Sequence, residues 1–257
     1  MDLGLKGKVV AITGGSDGIG KAAAILFAGE GAKVAICARK IDGVNKALDE
    51  IRKAGGEAFG MAADMSSATD PEKFIDGVVK HYGRIDVLVN NAGSSIRGPF
   101  LETTDEQFKG DIELKVFGAI RCSRHAIPHM KKQGGGRIIN ITTVGAKQPG
   151  ASSMPTTMSR AAGMVLTKSL SKEFAPDNIL VNTVCIGLIK SGQHDRRANA
   201  AGTPLDKHYA EMGKSVAMRR VGEAAEAGSV IVFLASNMAS YVTGTSINVD
   251  GGNSGVL

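Results

Sequence analysis

Short apolar runs alternate with longer amphipathic stretches along almost the whole chain. Lys8–Ile12, Lys33–Cys37, Ile85–Val89, Arg137–Ile141 and Ile179–Val184 are rich in valine and isoleucine, without inside–outside alternation. Such continuous runs mark strands buried on both faces, as in a parallel sheet. Glu57–Met61 reads as a weaker strand, and Ser246–Val249 closes the set. Between them lie helical patterns at Ile19–Gly29, Asp42–Ala54, Pro71–His81, Asp105–Lys132, Thr156–Phe174 and Glu223–Ala235. These segments are too long for hairpins and suit right-handed crossovers. The alternation predicts an α/β fold: a doubly wound, seven-stranded parallel sheet with helices on both faces, in one domain over residues 1–257. Lys190–Val216 is polar, contains Gly and Pro, and is expected to be an irregular lid or binding loop.

Composition narrows the class. The 257 residues include 34 glycines, while aromatics make up only 4% with no tryptophan, which suits many short loops and close helix–sheet packing. Thirty-one basic residues against twenty-five acidic ones leave a charge of +6. That excess fits either a solvated basic surface or attraction to an anionic ligand. The basic residues are dispersed and no aromatic stacking motif accompanies them, so nucleic acid is not the expected partner. Cys37, Cys122 and Cys185 form no C-x-x-C pair and read as reduced thiols of a cytoplasmic protein. MDLGLKGK has no apolar core of a signal peptide. The charge-free run Ala227–Val249 is interrupted by Ser, Asn, Thr and Gly, so it reads as a helix and strand, not a membrane span.

Candidate chemistry begins after the first strand, where Thr13–Gly20 reads TGGSDGIG. Gly14, Gly18 and Gly20 allow a sharp turn, let the backbone approach a pyrophosphate, and aim helix N-terminal amides at it. The second strand ends in CARK, with Ala38 where an acid would grip a ribose 2′-hydroxyl, followed by Arg39 and Lys40. A guanidinium there favours a 2′-phosphate, so NADP is preferred over NAD. Stacking of Arg39 on adenine is the alternative.

From Leu5 to Gly252 the chain resembles the short-chain dehydrogenase/reductases. The resemblance rests on TGGSDGIG, on Asp64 in AADM, and on NNAG at Asn90–Gly93. It extends to NTVCIGLIKS at Asn182–Ser191, to MRRVGEAAEAG, and to INVDGG at Ile247–Gly252. It implies a Rossmann-type fold and a nicotinamide dinucleotide. Its contacts would be Gly14, Ser16, Asp17, Gly18, Ile19, Gly20, Arg39, Lys40, Asp64, Met65, Asn91, Ala92, Gly93, Arg160, Gly187 and Ile189. It further implies hydride exchange with a carbonyl or alcohol substrate, a lid over about residues 190–216, and a homotetramer or dimer.

The family's catalytic set departs from its pattern at every position. The serine is Thr143, the tyrosine is Thr156, the lysine is Arg160, and the asparagine of the long helix is Lys115. Threonine keeps the hydroxyl chemistry of serine. Thr156 cannot stand in for a phenol as an acid, and Arg160 holds its proton. Lys115 is expected beside Arg160, either as proton donor or electrostatic clamp, or merely paired with Asp111 or Glu113. Lys190, His194, His208 and Tyr209 are further candidates from the lid. The basic lid is compatible with an anionic substrate and equally with a solvated surface. Three functions remain open: an NADP-dependent oxidoreductase with a rebuilt acid/base site, a redox-inactive dinucleotide-binding sensor or structural subunit, and a non-redox enzyme on the same scaffold.

Overall fold

A computed structural model describes residues 2–256. Its main sheet is built from β1 (Val9–Thr13), β2 (Lys33–Ala38), β3 (Glu57–Ala62), β4 (Val87–Asn90), β6 (Gly136–Thr143), β8 (Ile179–Ile186) and β9 (Ser246–Val249). The seven strands lie in the order β3-β2-β1-β4-β6-β8-β9, and every pairing is parallel. A separate two-stranded ribbon pairs β5 (Arg97–Gly98) antiparallel with β7 (Met154–Pro155). The predicted doubly wound sheet is therefore present.

Helices cover both faces because each central strand is apolar on both. Helices α1 (Gly18–Gly29), α2 (Ile41–Lys53) and α9 (Ala224–Ala235) bury Phe27, Val44, Ile51 and Ile231 against one side. Helices α3 (Asp70–Tyr82) and α5 (Gly118–Lys132) bury Phe74, Ile75, Cys122 and Met130 against the other, where Leu170 and Phe174 of α6 (Thr156–Phe174) also pack. Fully burying one such side chain contributes about 1.5–3 kcal/mol. The three cysteines are buried and free.

Two expectations need correction. The single helix expected over Asp105–Lys132 is interrupted. Helix α4 (Asp105–Ile112) passes through a π-helical turn, Glu113–Phe117, before α5 begins. Gly118 explains the close packing there, since a Cβ on it would lie 2.8 Å from Met65 O. The segment 190–216 is not irregular. It holds α7 (Gly192–Ala200) and α8 (Leu205–Gly213). Its Gly and Pro residues punctuate helices: Gly202 takes φ +64 just after α7, and Pro204 caps α8.

Candidate active site

Strand order reverses about β1, whose neighbours are β2 and β4, and ligands of such sheets bind beyond the carboxyl ends of the strands at that point. A cleft of about 350 Å³ lies there. Of the expected cofactor contacts, Gly14, Asp17, Gly18, Ile19, Arg39, Asn91, Ala92, Gly93, Arg160, Gly187 and Ile189 line it. Ser16, Gly20, Lys40, Asp64 and Met65 are not among its lining residues.

The backbone builds the first half of this cleft. Gly14 and Gly18 adopt φ +66 and +54, which side-chain-bearing residues rarely take. Gly20 lies beneath the turn, where a Cβ would come within 2.4 Å of Gly14 O. Asn91 fixes the loop by donating Nδ2 to Thr13 O and Gly14 O, both at 3.0 Å. Thr13 Oγ1 in turn accepts from the N–H groups of Asn91 and Ala92. Arg39 is exposed at the cleft edge and has no carboxylate partner among the described residues. A pyrophosphate on the turn and a 2′-phosphate beside Arg39 suit these groups. Lys40 is exposed. The Asp64 carboxylate is occupied locally, accepting from Ser66 N at 2.9 Å and Ser66 Oγ at 2.7 Å. Met65 is buried, with its sulfur 3.7 Å from Cys122 Sγ.

The second half is built from side chains distant in sequence. Thr143, at the end of β6, lines the cleft, and its Oγ1 has no hydrogen-bond partner. Thr156, 1% exposed at the start of α6, is fully engaged. Its Oγ1 donates to Ile96 O at 2.8 Å and accepts from Ile96 N at 3.0 Å and Lys115 Nζ at 3.1 Å. One proton and two lone pairs are thereby used, so this hydroxyl has no capacity left for another partner unless one bond breaks. Arg160 donates Nη1 to Ile141 O. Its Nη2 lies under Gly93, where a Cβ would come within 2.5 Å.

Lys115 does not reach the cleft surface. The π turn carries it inward, where its side chain is 2% exposed and its Nζ lies 2.6 Å from Asp111 Oδ1. Asp111 Oδ2 accepts from Ser159 Oγ at 2.6 Å, while Glu113 pairs instead with Arg121. Burial first, and then the Arg160 guanidinium, hold the Lys115 pKa down to about 8 against the pull of Asp111. Burial likewise lowers Arg160 to about 10, which leaves it charged near neutrality. Between them is an inner cavity of about 20 Å³, lined also by Asn90, Asn140 and Ser159. It has room for about one water, and Asn90 Oδ1 and Arg160 Nε nearby lack protein partners.

Of the candidates in segment 190–216, only His194 lines the cleft. Lys190 pairs with Glu223, and Tyr209 donates to Asp195. The Tyr209 pKa rises to about 12, chiefly by burial and then by the Asp195 bond, so it is a poor acid. The contribution of Ser94, Ser95 and Arg97 to the cleft was not anticipated. Their position directly after the NNAG motif, at the carboxyl end of β4, was the available signal.

The comparisons with known proteins agree with this geometry. Residues 14–254 match the family model described as enoyl-(acyl carrier protein) reductase. Human dehydrogenase/reductase SDR family member 4 is 32% identical over 96% of this chain and 88% of its own length. The chain belongs to the short-chain dehydrogenase/reductase family, a family of oxidoreductases. Among solved members, L-sorbose reductase from Gluconobacter frateurii, complexed with NADPH and L-sorbose, superimposes with a TM-score of 0.94. It is 32% identical, with both chains covered in full. An NADPH-bound short-chain oxidoreductase from Pseudomonas aeruginosa PAO1, described as containing an atypical catalytic center, gives 0.91 at 34% identity. That match covers 97% of this chain and 98% of the other. Among the described residues, no helix is long and apolar enough to cross a membrane, and no group of His, Cys, Asp and Glu is arranged to hold a metal.

Proposed function

We propose that this protein is an NADP-dependent oxidoreductase that exchanges a hydride with a small carbonyl or alcohol substrate through a rebuilt acid/base site. The observation that carries this reading is the single cleft joining the glycine turn and Arg39 at one end to the unpartnered Thr143 hydroxyl at the other. NADPH, when bound, supplies the hydride. Its phosphates would rest on the Gly14–Gly20 turn and beside Arg39, with Arg160 beneath the nicotinamide end. The NADPH complexes of the Gluconobacter and Pseudomonas relatives support the same cofactor here.

As negative charge develops on the substrate oxygen, Thr143 Oγ donates a hydrogen bond to it. Behind, the Arg160 and Lys115 cations lower the energy of that charge in a site sheltered from water. The closing proton comes from Lys115 by way of Thr156. Lys115 passes a proton to the Thr156 oxygen as the Thr156 hydroxyl turns from Ile96 O and releases its own proton to the substrate. Lys115 is left neutral until a proton from solvent restores it after product leaves. An ammonium held near 8 suits this task, whereas an ordinary lysine is a weaker donor at neutral pH. Helices α7 and α8 act as the substrate lid. Exposed Phe117, Met158 and Val165 on the neighbouring helices support a homodimer or tetramer, which light scattering on the purified protein would check.

The saturated hydrogen bonding of Thr156 favours a second reading, in which the protein binds the dinucleotide without turning it over. One experiment separates the two. NADPH is titrated by fluorescence, and NADPH oxidation is then followed across a panel of ketones, aldehydes and oxo acids. Tight binding with no oxidation of any panel member selects the second reading, and absence of NADPH binding eliminates both. For the acid/base assignment, kcat/KM for reduction should fall as pH rises through about 8, where Lys115 loses its proton. In the Lys115→Met, Asp111→Asn double variant that limb should vanish together with most turnover. Unchanged turnover would remove Lys115 from the mechanism.

A further inference from the structure

Most of the charged side chains that line the cleft are arginines. Its lining includes five arginines, Arg39, Arg97, Arg160, Arg196 and Arg197, against one carboxylate, Asp17. Arg39 stands at the ribose end, Arg160 is tied to Ile141 O, and Arg196 lies 3.9 Å from Asp17 on the glycine turn. Arg97 and Arg197 are left over, and neither has an ion-pair partner among the described residues.

Their placement is at the reacting end. Arg97 follows Ile96, the residue that holds the Thr156 hydroxyl, and in the small ribbon it lies opposite Pro155, beside Thr156. Arg197 projects from α7 across the mouth and donates Nη2 to Ser95 O at 3.1 Å. His194, which also lines the cleft, has its pKa lowered first by burial and then by Arg197, with Arg97 adding to the effect. Asp195, the carboxylate on the same turn of helix, accepts from the Tyr209 hydroxyl. Both arginine side chains are exposed at the mouth of the cleft, where neighbouring cations repel one another and a bound anion relieves that repulsion.

We infer that Arg97 and Arg197 form a carboxylate-binding subsite between the Ser94–Arg97 loop and α7, so that the substrate is a small oxo acid or the matching hydroxy acid. This deepens the proposed function and rests on it for the reaction, though not for the binding. Two guanidinium forks match the planar carboxylate, each offering charge-assisted hydrogen bonds that lysines would make less specifically. Holding the acid group here places the carbonyl toward Thr143. Because Arg197 belongs to α7, substrate and lid become joined by the same contact, and acid binding favours the closed lid.

The test uses the full chain saturated with NADPH. A 3-oxo acid and its ethyl ester are compared as substrates, and unreactive succinate is scored by its effect on the melting temperature. The acid should have the lower KM. Its advantage over the ester should shrink by about ten- to hundredfold in Arg97→Gln or Arg197→Gln, and Arg97→Lys should recover part of it. Acid and ester turned over alike, with the variants changing both equally, overturns the inference and leaves the oxidoreductase reading standing. Variants that weaken NADPH binding instead also overturn it, by assigning these arginines to the cofactor phosphates. If no probe oxidises NADPH, succinate decides. A stabilising shift lost in the double arginine variant upholds the subsite while the reaction is abandoned, and no shift in the unmodified protein overturns the subsite.

Discussion

The two ends of the cleft are built from different materials. The nucleotide end is mostly main chain: glycines with φ above zero, helix N-terminal amides, and an asparagine bonded to carbonyl oxygens. The other end is a set of interlocked side chains, Lys115, Asp111, Thr156, Ser159 and Arg160, drawn from α4, the π turn and α6, with all but the half-buried Arg160 out of contact with solvent. A backbone site tolerates little change in its glycines, but its outcome depends on few residues. A side-chain network can be replaced as a group, and each member then depends on the others.

That contrast can be broken most severely at Asp111. Asp111→Asn leaves the Lys115 ammonium buried without its counter-ion, and such losses cost about 3–5 kcal/mol. Chemical denaturation should show this drop, and Asp111→Asn combined with Lys115→Met should be distinctly less destabilised than Asp111→Asn alone. Additive losses would mean that the pair is not a unit. Next is Gly20→Ala, whose Cβ would meet Gly14 O and Asn91 Nδ2 at 2.4 and 2.5 Å. We expect about 1–3 kcal/mol of lost stability and loss of detectable NADPH binding in the fluorescence titration. Arg39→Gln should weaken NADPH by about ten- to hundredfold and leave NADH nearly unaffected, measured by the same titration. The gentlest is Thr143→Val. Because its hydroxyl lacks a partner in the free protein, melting should be unchanged or slightly raised, yet kcat/KM should fall by about tenfold or more. A stability loss there would show the hydroxyl to be structural.

The same contrast explains what the sequence revealed. Val- and Ile-rich runs marked the strands because burial on both faces leaves little room for polar residues, and β8 and β9 were found close to their true limits. The glycine turn was legible because its requirement is local. Segment 190–216 was misread as irregular: Gly192, Gly202 and Pro204 punctuate two helices, and short polar helices have weak periodicity. The π turn was invisible because it answers to packing of Gly118 on Met65, more than fifty residues away. Lys115 Nζ lies 3.1 Å from Thr156 Oγ1. Its isolation from the cleft surface, and the capture of Thr156 by Ile96 sixty residues earlier, depend on contacts that no local pattern records.

The three-way bonding of Thr156 has a consequence for what its position can hold. A tyrosine introduced there alone would find the space beyond Oγ taken by Lys115 and the Ile96 peptide. Thr156→Tyr should therefore lose stability in chemical denaturation unless Lys115 is shortened as well. One oxygen atom thus joins the loop after β4, the π turn and α6, and the size of the side chain that carries it is set by all three.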